Sequence, residues 1–178
     1  MKQLILPFLF LLITSISGAQ TETVVDPYSE SVKQCLINNG TRDYYANVVD
    51  DMFMMLQKQY AEKNVPESVW IELKDIKTET LDELSQMVVS AYRGHYSQDD
   101  LNKMNTMFTT DTGKKMFNDP KSLSEEDKFK VNEFYNSEVG QKIMGSQESM
   151  NKIMSQVSEM WSSDLYQSVI TKLDEKGF

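Results

Sequence analysis

The chain has 178 residues, with 18 lysines and arginines against 27 aspartates and glutamates, a formal net charge of −9 and a pI near 4.7. That balance repels polyanions, so nucleic acid and anionic lipid surfaces are set aside as partners. Cys35 is the only cysteine, which excludes an internal disulfide and leaves the apolar core to hold the fold.

The first residues, MKQLILPFLFLLITSISGAQ, place Lys2 ahead of an apolar run from Leu4 to Ile13, with Ser17 and Ala19 at the small-residue cleavage positions. This pattern predicts a secretory signal peptide over residues 1–19, and hence an exported, periplasmic or secreted protein. The run is about half of the roughly 20 residues a bilayer requires, so no transmembrane segment is expected after signal removal. Residues 20–28 read as a flexible mature N-terminus and residues 29–178 as a single all-helical domain of ordinary size. Cys35 is expected there as a buried, inert thiol, because free cysteine is among the most buried side chains.

Only 7 glycines and 4 prolines occur, and the apolar residues recur at three- and four-residue spacing with almost no alternation, which predicts helices throughout. A first helix runs through SESVKQCLIN and stops at Asn38-Asn39-Gly40, since glycine accepts the left-handed conformation of a helix end. Thr41 is placed to cap the second helix, with Tyr45, Val48, Met52, Met55, Leu56 and Tyr60 on its inner face. After EKNV, Pro66 is expected as the first residue of a long amphipathic helix carrying Trp70, Leu73, Ile76, Leu84, Met87, Val88 and Ala91, with Gly94 ending it. The last helix is the longest, from about Glu138 into Lys176, and its apolar stripe includes Ile143, Met150, Met154, Val157, Trp161, Leu165, Val169 and Leu173.

Between these lies a phrase written twice. NTMFTTDTGKKM begins at Asn105 and NEFYNSEVGQKI at Asn132, 27 positions later, so that Phe108 falls on Tyr135, Gly113 on Gly140 and Lys115 on Lys142. Each copy opens with a capping-box pattern, Ser97 with Asp100 and Ser124 with Asp127. Next come Thr110-Asp111 and Ser137-Glu138, readable as the cap and first residue of another helix. The physical reading is a helix, a tight corner, and a second helix whose glycine permits close backbone approach, repeated over 97–117 and 124–144, with Asn118-Asp119-Pro120 breaking the chain between copies. The expected fold is therefore all-α, a compact bundle of about six to eight helices containing this helix-corner-helix unit twice.

Chemistry is weighed against that architecture. Lys115 and Lys142, expected to be exposed, could make each corner an anion receptor together with the free N–H groups of the helix start, but a helix hinge needs the same residues for capping alone. His95, the one histidine, has Asp99 four residues on; with no second histidine and the lone cysteine elsewhere, no zinc set is formed, and it reads as an exposed loop residue. The acidic clusters Asp50-Asp51, Asp99-Asp100 and Glu125-Glu126-Asp127 put neighbouring carboxylates in different directions, unlike the facing pair of a glycosidase. No nucleophile motif, phosphate-cradling loop or metal spacing is found, so no cofactor is expected. The 12 methionines suggest an adaptable apolar surface, although most of them fall on inner stripes. Met54 and Met160 lie off their stripes and are the candidate partner-facing positions.

The segments VPESVWIELKDI, AYRGHYSQDDL and FYNSEVGQKIMGSQESM resemble the bacterial family catalogued as domain of unknown function 2059. Its phrase is an aromatic pair, a small residue, a proline, then glycine with a following lysine. Phe134, Tyr135, Ser137, Gly140 and Lys142 match it, with Glu138 where proline is common; the first copy matches more loosely, with Met107 for the first aromatic and Asp111 for the proline. The resemblance implies an exported all-helical domain and carries over no catalytic residue. The function expected from the whole is non-enzymatic binding of a protein partner or a small apolar ligand in the bacterial envelope. A hydrolase with a scattered site, using His95, and a purely structural component are the rivals.

Overall fold

The computed structural model describes residues 26–178; residues 1–19, expected as a signal peptide, and most of the 20–28 segment, expected as a flexible N-terminus, lie outside the described residues. Asp26 starts the first helix by accepting the Tyr28 N–H at 3.3 Å, with Pro27 in the first turn, where its missing donor costs nothing. Eight α-helices and two 3-10 turns follow, with no strand among the described residues: α1 (Pro27–Asn38), α2 (Thr41–Gln59), a turn at Ala61–Lys63, α3 (Glu67–Lys74), α4 (Lys77–His95), α5 (Gln98–Phe108), α6 (Asp111–Asn118), a turn at Pro120–Ser122, α7 (Glu125–Asn136) and α8 (Glu138–Glu175). The architecture is the expected all-α bundle.

Several junctions differ from the sequence-based expectation. Gly40, at φ 78°, occupies the cap position of α2, so Thr41 is already helical and its N–H is satisfied by the Asn39 Oδ1 at 3.0 Å. Pro66 is extended (φ −61°, ψ 145°) and precedes α3 as its cap. The single long helix expected from Pro66 is broken at Asp75-Ile76 into α3 and α4, although no glycine or proline marks the bend. Its two sides are tied to different partners: Trp70 stacks edge-on against Tyr60 at the end of α2, whereas the Thr80 carbonyl of α4 accepts the Trp161 indole N–H of α8 at 2.8 Å. Gly94 stays helical, and α4 ends at the extended Tyr96, whose carbonyl accepts the Tyr28 hydroxyl at 2.8 Å.

Packing then follows from the apolar faces. α1 lies against α4 and α5, and the 38-residue α8 runs against α4 and α7. In α2 the buried positions are Tyr45, Val49, Phe53 and Leu56, continued by Tyr60 at its C-cap; Val48 and Met52 flank them, and Met55, expected inside, is 49% exposed. The stripe is turned by about one position between its shared ends; Tyr45, common to both readings, meets Trp161 edge-on with ring centres 5.2 Å apart and its hydroxyl bonds Ser158. α8 buries Val157, Trp161, Leu165, Val169 and Leu173 as its spacing predicts. No helix among the described residues is long and apolar enough to cross a membrane.

Rotation of α2 has a measurable consequence. Phe53→Ala is expected to cost about 3–5 kcal/mol, the range for truncating a buried aromatic, and Met55→Ala no more than about 0.5 kcal/mol. Urea unfolding of the two variants checks this, and equal losses would contradict the observed facing.

Candidate functional site

The twice-written phrase forms two corners with the same local bonds. Thr110 Oγ1 accepts the Gly113 N–H at 2.9 Å and donates to the Met107 carbonyl at 2.6 Å; Ser137 Oγ accepts the Gly140 N–H at 3.3 Å and donates to the Phe134 carbonyl at 2.6 Å. A Cβ on Gly113 would overlap the Met107 carbonyl oxygen and the Phe108 Cα, and one on Gly140 the Phe134 carbonyl oxygen and the Tyr135 Cα. Only glycine fits, because the second helix starts against the backbone of the first.

The corners are clasped to each other through the capping boxes. Asp100 caps α5, accepting from the Ser97 N–H at 2.9 Å and Oγ at 2.8 Å, and both its oxygens lie 3.0 Å from the Lys142 ammonium of the second corner. Asp127 caps α7 through Ser124 and takes the Lys115 ammonium of the first corner at 2.9 Å and the Thr112 hydroxyl at 2.6 Å. Each buried carboxylate thus serves its own helix and the lysine of the other copy. Burial pushes the Asp100 carboxyl up, but the Ser97 bonds and Lys142 outweigh it and hold the group below its usual range. Asp127 is held well below that range by Thr112, Lys115 and Ser124. The lysines keep exposed stems, yet their charged ends are engaged, and the helix-start N–H groups of Gly113 and Gly140 are already bonded to hydroxyls. The protein's own groups therefore fill the anion positions considered for these corners.

Between the corners and the first helices lies a groove of about 700 Å³. Its apolar wall is Leu36 of α1, Met104 and Phe108 of α5, Phe117 of α6, and Ile143, Met150 and Met154 of α8. Phe108 stands edge-on to Phe117 and Phe134, at 4.9 and 5.8 Å, and Phe134 to Tyr135, so the corner aromatics build one side of it. Asn39, Asn132, Asn136, Gln147 and Asn151 bring carboxamides to the groove, and Tyr92, Tyr96 and Tyr135 bring phenols. No lysine, arginine, aspartate, glutamate or histidine is among its lining residues. Burial raises all three phenols above their ordinary range. Tyr96 is turned inward, its hydroxyl 2.6 Å from Ser146 Oγ, and Tyr92 faces the Cys35 thiol, which burial pushes up to about 12 against the opposing pull of that contact. Cys35 is fully buried and free.

Other candidate residues lie elsewhere. Met54 and Met160 are each 53% exposed, on α2 and α8, and neither lines the groove. His95 ends α4 with its Nε2 3.1 Å from Ser149 Oγ, while Asp99 pairs with Lys103 at 2.6 Å, so the two are not brought together. Sequence reasoning missed Phe117 and the carboxamides. A signal for the latter was present in the neutral stripe Met144, Gln147, Asn151, Met154 along α8, at helical spacing and flanked by Glu148 and Lys152.

Residues 82–119 match the family described as an uncharacterized protein conserved in bacteria (DUF2059), the family the sequence resembles. The matched segment takes in most of α4, all of α5 and α6, and the first corner; the second corner lies beyond it. No curated protein and no solved structure matches the chain.

The clasps set a pH dependence. A carboxylate with a depressed folded-state pKa contributes stability that is complete above its unfolded pKa, near 3.9, and is lost as pH falls through the folded value. Asp100→Asn/Asp127→Asn is therefore expected to be less stable than the parent at neutral pH, with the difference shrinking as pH is lowered through the carboxylate range. Thermal unfolding between neutral and acid pH checks this; a difference independent of pH would contradict the clasp.

Proposed function

We propose that this is an exported, non-enzymatic helical protein of the bacterial envelope that receives an apolar ligand, or an apolar segment of a protein partner, in the groove between α1, α5, α7 and α8. The observation that carries the reading is the groove itself: about 700 Å³ lined by methionine, aromatic and aliphatic side chains and neutral polar groups. Small-molecule sites span about 300–1,000 Å³, mostly apolar with a few polar groups that fix orientation. Methionines 104, 144, 150 and 154 suit such a surface, since their unbranched thioethers adapt to differing apolar shapes. A second cavity of about 490 Å³ between α4 and α8 mixes the apolar Ile76, Met87, Trp161 and Leu165 with the charged Glu79, Glu83, Asp164 and Lys172, and so lacks the groove's uncharged lining.

The non-enzymatic part of the reading is supported by where the ionisable groups are committed. Asp100 and Asp127 are capped, paired and kept ionised, which makes them poor proton carriers near neutral pH. The groove's own titratable groups are phenols displaced further from neutrality by burial. His95, on which a hydrolase would most readily draw, is outside the groove and bonded to Ser149. Export is supported by the N-terminal apolar run and its small-residue cut site.

Nile red, an uncharged apolar dye, is expected to bind the folded protein saturably at one site. Met150→Arg, which puts a cation into a half-buried wall position, should weaken that binding by on the order of tenfold or more while leaving the circular dichroism of the protein unchanged. Saturation absent in the parent, or unaltered in the variant, would overturn the groove reading. For export, mass spectrometry of protein expressed in a bacterium should find a chain beginning at Gln20 in the envelope fraction; an uncut chain confined to the cytoplasm would overturn it.

A further inference from the structure

The lining of the groove says more about its occupant than that it is apolar. Seventeen side chains line it and none is charged, in a molecule with a net charge of −9. An anionic head group would meet no cation there and would approach against the field of the whole chain. A cationic head group would be drawn toward the molecule but would find no carboxylate among the groove's lining residues, only carboxamide and phenol groups that neutralise no charge. A neutral head group needs no counter-charge and finds partners. Gln147 and Asn151 stand one turn apart on the groove face of α8, and their carboxamides make no hydrogen bond to another described side chain. The Tyr135 hydroxyl is in the same condition on the facing helix α7. Asn132 and Asn136 are partly used, Asn136 Nδ2 donating to Asn132 Oδ1 at 2.8 Å, and the Tyr96 hydroxyl is spent on Ser146. Open donors and acceptors are thus available at Gln147, Asn151 and Tyr135, in the same lining as the apolar Met104, Phe108, Ile143 and Met150.

We infer that the groove selects an uncharged amphipathic small molecule, with an apolar body against the Met104, Phe108 and Met150 wall and a neutral amide or hydroxyl head group held by Gln147, Asn151 and Tyr135. This rests on the groove reading and deepens it. A carboxamide offers both a donor and an acceptor, so it pairs with amides and hydroxyls alike, whereas it neutralises no charge. These side chains therefore sort ligands by the ionisation of the head group more strongly than by its identity.

The test uses four probes of equal chain length: decanamide, decanol, decanoate and decylammonium, each titrated against Nile red bound to the folded protein at neutral pH. Decanamide and decanol are expected to displace the dye at concentrations at least about tenfold below the two ions. Asn151→Lys, at an exposed position, should reverse the order for decanoate by supplying the missing cation, with decanamide little changed. Equal displacement by all four, or an unchanged order in Asn151→Lys, would overturn the selection while leaving the groove as the site. If Nile red binds but no probe displaces it, the selection falls; if the dye itself does not bind, the groove reading falls with it.

Discussion

The pairing of Asp100 with Lys142 is the constraint on which most of this molecule depends. It joins the start of α5 to the first turns of α8, 42 residues apart, and its counterpart, Asp127 with Lys115, joins the start of α7 to α6. A buried carboxylate must be compensated, since desolvation alone would favour its neutral form. Here compensation comes to each group from its own capping serine and a lysine of the other corner, and to Asp127 from the Thr112 hydroxyl as well. The consequence is geometric: neither corner can shift without stranding a buried charge on the opposite one. With α5 to α8 held in this way, the corner aromatics Phe108, Phe117 and Tyr135 are fixed as one wall, and the groove they line with Met104 and Met150 keeps its form.

Close approach at the glycines makes the clasp possible. Because Gly113 and Gly140 have no Cβ, the helix after each corner begins against the backbone of the helix before it, which brings a lysine two residues later within reach of a carboxylate on a different helix. Residues that resemble an anion receptor in sequence are instead the means by which the fold supplies its own anions. The same groups that make these corners recognisable are thereby committed to the fold, and the uncharged groove lies beside them.

A net charge of −9 and a groove without charge are complementary features. Acidic residues occupy helix starts and the solvent face, where the helix dipole and water favour them; Glu125, Glu126 and Asp99 each pair with a lysine one turn on. The stripe of α8 that faces the groove has Gln147 and Asn151 where the adjoining positions have Glu148 and Lys152. Neutral polar residues along one face of a strongly charged helix separate an acidic surface, which repels polyanions, from the uncharged lining of the groove.

Much of this was legible in the chain alone, for local reasons. Capping boxes at Ser97 and Ser124, hydroxyl caps at Thr110 and Ser137, and the helical stripe of α8 are set by residues within a turn or two of one another, so spacing and side-chain type determine them. The tertiary structure decided what joins distant segments. Spacing placed Met55 of α2 inward, but packing against the other helices buries Val49 and Phe53 instead. The bend at Asp75-Ile76 has no breaker residue and arises because α3 and α4 are tethered to different partners. The crossing of Lys115 and Lys142 onto each other's capping aspartates could not be read from two similar phrases, since periodicity states which face a residue occupies but not which helix that face will meet.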